Sequence, residues 1–449
     1  MSDARRPGQR EGSLEAPTRH PLAWQTPEFH DPAALDAELT RVFDICHGCR
    51  RCFNLCQAFP TLFDRIDQSA TGELDGVPKS AWQEVVDHCY LCDLCFMTKC
   101  PYVPPHPWNV DFPHLMLRAK AVRFREHGAR FRDRVLTSTD RVGRLAGIPV
   151  VAGAVNAANR SRLGRRLLER AFGVHRDAPV PEYHSASFRR RAARHQPPAV
   201  EPVAAGPTTG RVAVFVTCYG NRNEPEIVED LVAVLRHNGI PFALADSERC
   251  CGMPKLELGD LEAVAQLKDY NIPRLAELVE AGHDILAVVP SCVLMLRQEL
   301  PLLFPEDPQV AAVAARTFDP FEYLLHRHAA GRLRTDFRQA LGQVAWHVPC
   351  HLRVQNLGLR TREVLALVPG TTLTVIERCS GHDGTYAVKR EFRAAAMKIT
   401  RPVVQRVEAA AADHYASDCP MAGHQIESGL TARRAPEHPL RLLRLAYGI

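Results

Sequence analysis

The chain has 449 residues, 46% hydrophobic and 24% charged, with a formal net charge of +5; these are the proportions of a soluble globular protein of two or three domains, and they exclude collagen-like and disordered classes. No uncharged stretch is long and apolar enough to span a bilayer, and residues 1–30 are polar and proline-rich without the apolar core of a secretory signal, so the expected location is the cytoplasm. Fifteen cysteines in a compartment where disulfides do not persist point to metal binding.

A polar tail over residues 1–40 leads into the first group of cysteines. Cys46, Cys49, Cys52 and Cys56 lie in CHGCRRCFNLCQ, and Cys89, Cys92, Cys95 and Cys100 in CYLCDLCFMTKCP. A C-x2-C-x2-C turn wraps three corners of a cubic cluster and leaves the fourth corner for a distant thiolate. Structural zinc uses two C-x2-C pairs and has no need of four successive cysteines repeated twice. The segment between the two runs has helical periodicity and no strand run. Residues 41–117 are therefore expected to form an α-helical domain.

Residues 118–209 are expected to be a basic helical segment followed by a linker. Residues 112–200 carry 19 Lys and Arg against 6 Asp and Glu, so the rest of the chain is net acidic. Within this stretch Leu163, Leu167, Leu168 and Phe172 share one helical face, opposite several arginines. Two readings follow: a linker helix that docks its apolar face on its own protein, or a surface over 118–195 for an acidic partner, a membrane subunit or an anionic membrane. The arginines are not interleaved with aromatics, so no nucleic-acid partner is expected. The proline-rich run QPPAVEPVAAGPTTG closes the segment.

From residue 210 strands alternate with helices. RVAVFVTC, IPFALAD and DILAVVPSC read as strands with helices between them over 210–340, and VAWHVPC, TLTVIERC and ADHYASDC repeat the order over 341–449. This alternation predicts an α/β fold with parallel sheets. The two halves are an internal repeat: Cys218, Cys251 and Cys292 match Cys350, Cys379 and Cys419 at offsets of 132, 128 and 127 residues. Each of the six stands at or just past the C-terminal end of a strand, where open parallel sheets present their binding groups. Cysteine packed as a small hydrophobe has no reason to choose strand ends. No G-x-G-x-x-G follows RVAVFVTC, so no bound dinucleotide is expected.

The two N-terminal runs resemble the halves of a bacterial dicluster ferredoxin, C-x2-C-x2-C-x3-C-P, in which each fourth cysteine ligates the other cluster. The resemblance implies two [4Fe–4S] clusters, one on Cys46, Cys49, Cys52 and Cys100 and the other on Cys89, Cys92, Cys95 and Cys56. Gln57 stands where the first run's proline would be, and the second run has one extra residue before Cys100. The helical separator makes the domain similar to the dicluster domains of succinate dehydrogenase iron–sulfur subunits and of the C subunit of heterodisulfide reductase. Further along, Cys218, the Cys250-Cys251-Gly252 triplet and Cys292 in PSC resemble the CCG domain that occurs twice in the B subunit of heterodisulfide reductase. The whole arrangement, over about residues 40–449, is similar to the iron–sulfur subunits that include the C subunit of anaerobic glycerol-3-phosphate dehydrogenase and those of lactate and glycolate oxidases.

This resemblance implies electron transfer rather than independent substrate turnover. Electrons would pass between a flavoprotein dehydrogenase or other redox partner, the two N-terminal clusters and a further iron–sulfur cluster in the CCG region, or two if both repeats hold one. Repeat one has Met295 at the fifth ligand position of the full motif, leaving Cys218, Cys250, Cys251 and Cys292 for one [4Fe–4S] cluster. Repeat two has Arg378 and Ala422 at ligand positions, leaving Cys350, Cys379 and Cys419. An imidazole can complete such a site, as in Rieske centres. Of the neighbouring His347, His351 and His382, the glycine-flanked His382 is the expected ligand, with plain hydrogen bonding as the other role for each. The alternative function is catalytic reduction of a disulfide or related sulfur compound at the open iron of repeat two. The expected site of action is the cytoplasm or the inner face of the cell membrane.

Overall fold

A computed structural model describes residues 16–245 and 248–449. Residues 1–15 of the expected tail and the last residue of IPFALAD lie outside the described residues. The chain divides into two compact units: the first ends at Ala129 and takes in Leu256–Leu261, and the second comprises Arg130–Lys255 and Glu262–Ile449.

Among its described residues the first unit is built of helices and turns, with α1 at Pro32–Cys49, α2 at Ala58–Asp67, α3 at Trp82–His88, α4 at Leu94–Thr98 and α5 at Phe112–His127. Asp31 caps α1, its carboxylate accepting from the backbone N–H groups of Ala33 and Ala34 at 3.2 and 3.1 Å, and Pro32 follows where a missing N–H costs nothing. Leu35, Leu39, Val42 and Phe43 form its buried stripe. Arg50, in the left-handed region at φ 50°, ends the helix one residue after Cys49. The core centres on Phe112, whose ring lies 4.6 Å from that of Phe59 and 6.1 Å from that of Phe43. Trp24 and Phe29 are also buried, so this part of the stretch expected as a tail is packed.

The second unit opens with α6 at Phe131–Leu136, α7 at Thr139–Ala146, α8 at Pro149–Arg160 and α9 at Arg162–Phe172. Here the docking expected for the apolar face is overturned. Leu163 (69% exposed), Leu167 and Phe172 of α9 lie in solvent, with Leu145, Ile148 and Val150 (84%), while Leu168 is half-buried. It is Arg165 and Glu169 that are buried. The Arg165 guanidinium donates to the carbonyls of Arg176, His175 and Ala178 at 2.8, 2.7 and 2.6 Å, and Glu169 pairs with Arg176 at 2.7 Å. A planar cation that satisfies three orphan carbonyls fixes the helix polar side inward.

Two parallel sheets follow. The first has the order β2-β1-β3-β4, with β1 Val212–Phe215, β2 Phe242–Leu244, β3 Asp284–Ala287 and β4 Thr317–Phe318; the second has β6-β5-β7, with β5 Gly342–His347, β6 Thr371–Ile376 and β7 His414–Ser417. In each, the first strand lies between the second and third, paired in parallel. β1 and β3 are buried at every residue, the pattern of a sheet covered on both faces. The end of the proline-rich run is tied down: Thr209 donates through its N–H and its hydroxyl to Asp284 at 2.7 and 2.9 Å. Gly210, at φ +82°, has the Val203 carbonyl oxygen 2.2 Å from where a Cβ would stand, so no larger residue fits there.

Candidate metal centres

In the first unit the end of α1 carries Cys46 and Cys49, the turn after it Cys52 and Cys56, and the loop from Cys89 into α4 carries Cys92 and Cys95. Leu91 (φ 56°) and Asp93 (φ 60°) are both left-handed without being glycine, which bends this loop around its three thiols. Arg19 holds the bend in place. Its guanidinium pairs with Asp93 at 2.8 Å and with Asp111, the α5 cap, also at 2.8 Å.

The thiols fall into two crossed groups. Burial pushes Cys46 well up, and Cys52, Cys100 and Cys49 add to it. Burial likewise pushes Cys52 up to about 12, with Cys100 and Cys49 adding while Lys99 and Arg51 oppose. Cys100 therefore stands with the first three cysteines and not with its sequence neighbours. Cys95 is raised by burial, then by Cys52, Cys89, Cys56 and Asp93. Cys56, Cys89, Cys92 and Cys95 line one small pocket together with Phe59 and Phe112. The proximity of Cys52 to Cys95 sets the two groups side by side.

In repeat one, Cys218 follows β1, Cys250 and Cys251 follow β2, and Cys292 follows β3. Cys250 accepts from the thiols of Cys218 and Cys251, beside the Thr139 hydroxyl and the Gly252 N–H, and is held well below the ordinary thiol range. Cys218 and Cys251 are correspondingly raised, Cys251 reaching on to Cys292. All four thiols are thus joined in one chain. Buried Asn271 braces the turn, accepting from the Arg249 N–H at 2.9 Å and donating to the Cys250 carbonyl at 3.1 Å. Asp140 of α7 accepts from the Cys250 N–H at 2.6 Å, and burial followed by Cys250 pushes its carboxyl up to about 6. Sequence reasoning missed Asn271, Thr139 and Asp140; Asp140 is 110 residues from its partner, and no spacing rule joins them. Met295 is fully buried, its methyl 3.3 Å from where a Cβ on Gly252 would lie.

In repeat two, Cys350, Cys379 and Cys419 also converge. Cys350 is raised by burial, then by Asp383, Cys379 and Cys419. Cys419 is pushed up to about 12 by burial, against the N–H groups of Ala422 and Met421. The Gly381 N–H donates to the Cys379 sulfur at 3.3 Å. Arg378 is exposed and Ala422 buried. The histidines differ sharply. His347 is engaged on both ring nitrogens, with Ser417 Oγ at 3.0 Å and the Arg378 carbonyl at 2.9 Å, so it braces strand ends. His382 is half-buried as a residue, but both its ring nitrogens are shielded from solvent with no hydrogen-bond partner, and burial, then His424, Arg393 and His351, push its pKa down to about 4. A buried imidazole with both nitrogens idle costs about 1–3 kcal/mol per unsatisfied group. Such a ring fits a ligand role.

Nearby, His424 lies between Glu224 at 2.7 Å and Glu427 at 2.9 Å. Burial opposes its charge, but the two carboxylates outweigh burial and raise it to about 9. Because this folded value lies above the unfolded one, its stabilising contribution is complete below about pH 6.5 and is lost as pH rises through about 9. Thermal melts of the wild type and of His424→Gln should therefore differ most below pH 6.5 and converge above 9. A constant gap across that window would contradict this role.

The four groups take in all fifteen cysteines. Among the described residues no three Cys, His, Asp or Glu side chains close around one point as a single ion demands. Thiols raised by burial and mutual repulsion are stabilised as thiolates once iron supplies positive charge, so the donor sets fit multi-iron clusters.

The profile of the cysteine-rich domain family, CCG, matches residues 212–297 and 344–427. The C subunit of anaerobic glycerol-3-phosphate dehydrogenase from Escherichia coli (strain K12) is 28% identical over 344 residues, 76% of this chain and 83% of that protein. Lactate utilization protein A of an Exiguobacterium species is 28% identical over 40% of this chain and 74% of that protein. The B subunit of the CoM/CoB fumarate reductase from Methanothermobacter marburgensis is 25% identical over 55% of this chain and 48% of that protein.

Proposed function

We propose that this chain, which carries two cysteine-rich CCG domains and is homologous to the C subunit of anaerobic glycerol-3-phosphate dehydrogenase, is an iron–sulfur electron-transfer subunit of a flavin-dependent oxidoreductase. The observation that supports the reading is the gathering of the cysteines, each buried or half-buried, into four groups, with Cys100 beside the first N-terminal run and Cys56 beside the second. Cys46, Cys49, Cys52 and Cys100 would hold one [4Fe–4S] cluster and Cys89, Cys92, Cys95 and Cys56 the second. Cys218, Cys250, Cys251 and Cys292 would hold a third, and Cys350, Cys379 and Cys419 with His382 a fourth. Bound clusters supply one-electron storage at each site. The chain's own contribution is to fix the thiolates, exclude water and aim backbone N–H groups such as those of Gly252 and Gly381 at sulfur. Protein purified without oxygen should be brown and carry at least about eight iron atoms in the first unit. Colourless protein holding about two zinc ions in their place would sink the reading.

The second reading, reduction of a disulfide at repeat two, draws on the idle His382 ring beside three thiols. It predicts that a disulfide substrate changes the paramagnetic resonance spectrum of the isolated protein. A relay leaves that spectrum unchanged.

The outward apolar stripe of α8 and α9 supports a peripheral docking role at the inner face of the membrane. No helix among the described residues is long and apolar enough to cross a membrane. Leu163, Leu167, Val150 and Ile148 are exposed beside Arg160, Arg162, Arg166 and Arg170, an apolar stripe with a cationic border that matches an anionic bilayer. Full-length protein should cosediment with phosphatidylglycerol vesicles, and Leu163→Glu with Leu167→Glu should lower binding at least about tenfold, since each buried leucine is worth roughly 1.5–3 kcal/mol. Equal binding by the double variant would place the contact elsewhere.

A further inference from the structure

Two large apolar side chains of the first unit are exposed, and only two among its described residues: Phe53 (57%) and Trp108 (47%). Both border the first group of cysteines. Phe53 follows Cys52 in the chain and stacks on Phe63, with 6.5 Å between the rings. The Trp108 ring lies 4.5 Å from that of Tyr102, whose backbone N–H donates to Cys100, and the Trp108 carbonyl accepts from Arg41 of α1 at 2.7 Å. The cations next to the same two cysteines are exposed as well. Arg51 precedes Cys52 and Lys99 precedes Cys100, and neither has a carboxylate partner among the described residues.

A singly exposed apolar residue is commonplace, but here the only two of the unit border the same four thiols, and aromatic rings beside free cations are the composition of a protein–protein contact. The thiols themselves are placed accordingly. Cys46, Cys49, Cys52 and Cys100 are all half-buried, whereas Cys89 and Cys95 of the second group are buried, as are Tyr90, Leu94 and Phe96 beside them in the chain. Electron exchange weakens steeply with distance, so an incoming protein must meet the group nearest the surface. Contacts between redox proteins are small and depend on charge to steer the encounter, and two aromatic anchors with two unpaired cations meet both needs. We propose that Phe53, Trp108, Arg51 and Lys99 form the docking face for a reduced flavoprotein that presents carboxylates around its flavin, and that electrons enter the chain at the first group. The inference rests on the iron–sulfur reading of that group. The flavin loses one electron and the first site gains it, with no bond made or broken between the two proteins.

The test is stopped-flow reduction of the iron-loaded full chain by the hydroquinone of flavodoxin, a small acidic flavoprotein, followed by the bleaching of the iron–sulfur absorbance. For the wild type the second-order rate constant should fall at least about tenfold from low to high salt. Arg51→Glu with Lys99→Glu should slow the reaction at least about tenfold at low salt, and Phe53→Ser with Trp108→Ser by about the same factor at any salt. Photoreduced deazariboflavin, a small neutral reductant, should reduce the wild type and both variants at equal rates. Should the charge-reversed variant not take up iron, the aromatic pair alone decides. Variants as fast as the wild type with flavodoxin, or slowed equally with both reductants, overturn the proposal. So does a wild type that sediments as a dimer which either pair of changes makes monomeric, since the face would then join two copies of this chain. Reduction by deazariboflavin but not by flavodoxin overturns the docking face alone, whereas a wild type that neither reductant bleaches sinks the iron–sulfur reading, and the inference with it.

Discussion

Cys56→Ser should remove the cluster proposed on Cys89, Cys92 and Cys95 and spare the one proposed beside it in the sequence. The geometry behind this expectation is the cavity that Cys56 shares with those three cysteines and the partnership of Cys100 with Cys46, Cys49 and Cys52. Iron in the first unit should fall from about eight atoms to about four, or to about seven if the damaged site keeps a three-iron form. Cys46→Ser should produce the same loss of iron but the complementary spectrum. Loss of the same cluster in both variants would mean that each run of four ligates its own cluster, contrary to the placement of Cys100.

His382 yields the other large effect, because its ring is expected to work against the fold until a metal is present. In iron-free protein His382→Leu should be neutral or stabilising by about 1–2 kcal/mol, since it removes two buried, unbonded nitrogens. In iron-loaded protein the same change should abolish the repeat-two cluster, or leave it labile, while the first unit keeps its iron. Urea denaturation with and without iron measures both. A histidine that merely packs gives equal changes in the two states. Destabilisation in the iron-free protein would show that His382 supports the fold itself.

The parallel sheets were legible because strands covered on both faces read as unbroken apolar runs, as VAVF and DILA do, with helices between them. β4 escaped notice: two residues, Thr317 and Phe318, carry no periodicity. The cysteine groups were legible because thiols at fixed spacing have few other uses. The reversal of α9 was not, since periodicity finds the stripe Leu163, Leu167, Leu168 and Phe172 but says nothing of which side faces in. That was decided by three carbonyls near residues 175–178 that needed the Arg165 guanidinium. Asp140 and Asn271 were invisible for a related reason: their role is to hold the Cys250 turn, and their partners lie far away in the chain.

The passage of Leu256–Leu261 through the first unit bears on how this protein can be divided. Four residues after Cys251 the chain leaves the second unit, and it rejoins it at Glu262. A fragment ending at Ala129 would hold all eight N-terminal cysteines yet lack the piece that carries Gly259 and the buried Leu256 and Leu261. Its α5 would be bare along the backbone at Lys120, and cleavage at the proline-rich run would not free an intact first unit either. Domain borders normally fall where few contacts cross; here one half borrows six residues from the middle of the other. The two halves are consequently poor candidates for gene fission or for transplantation as contiguous cassettes, and are expected to be inherited and expressed as one polypeptide.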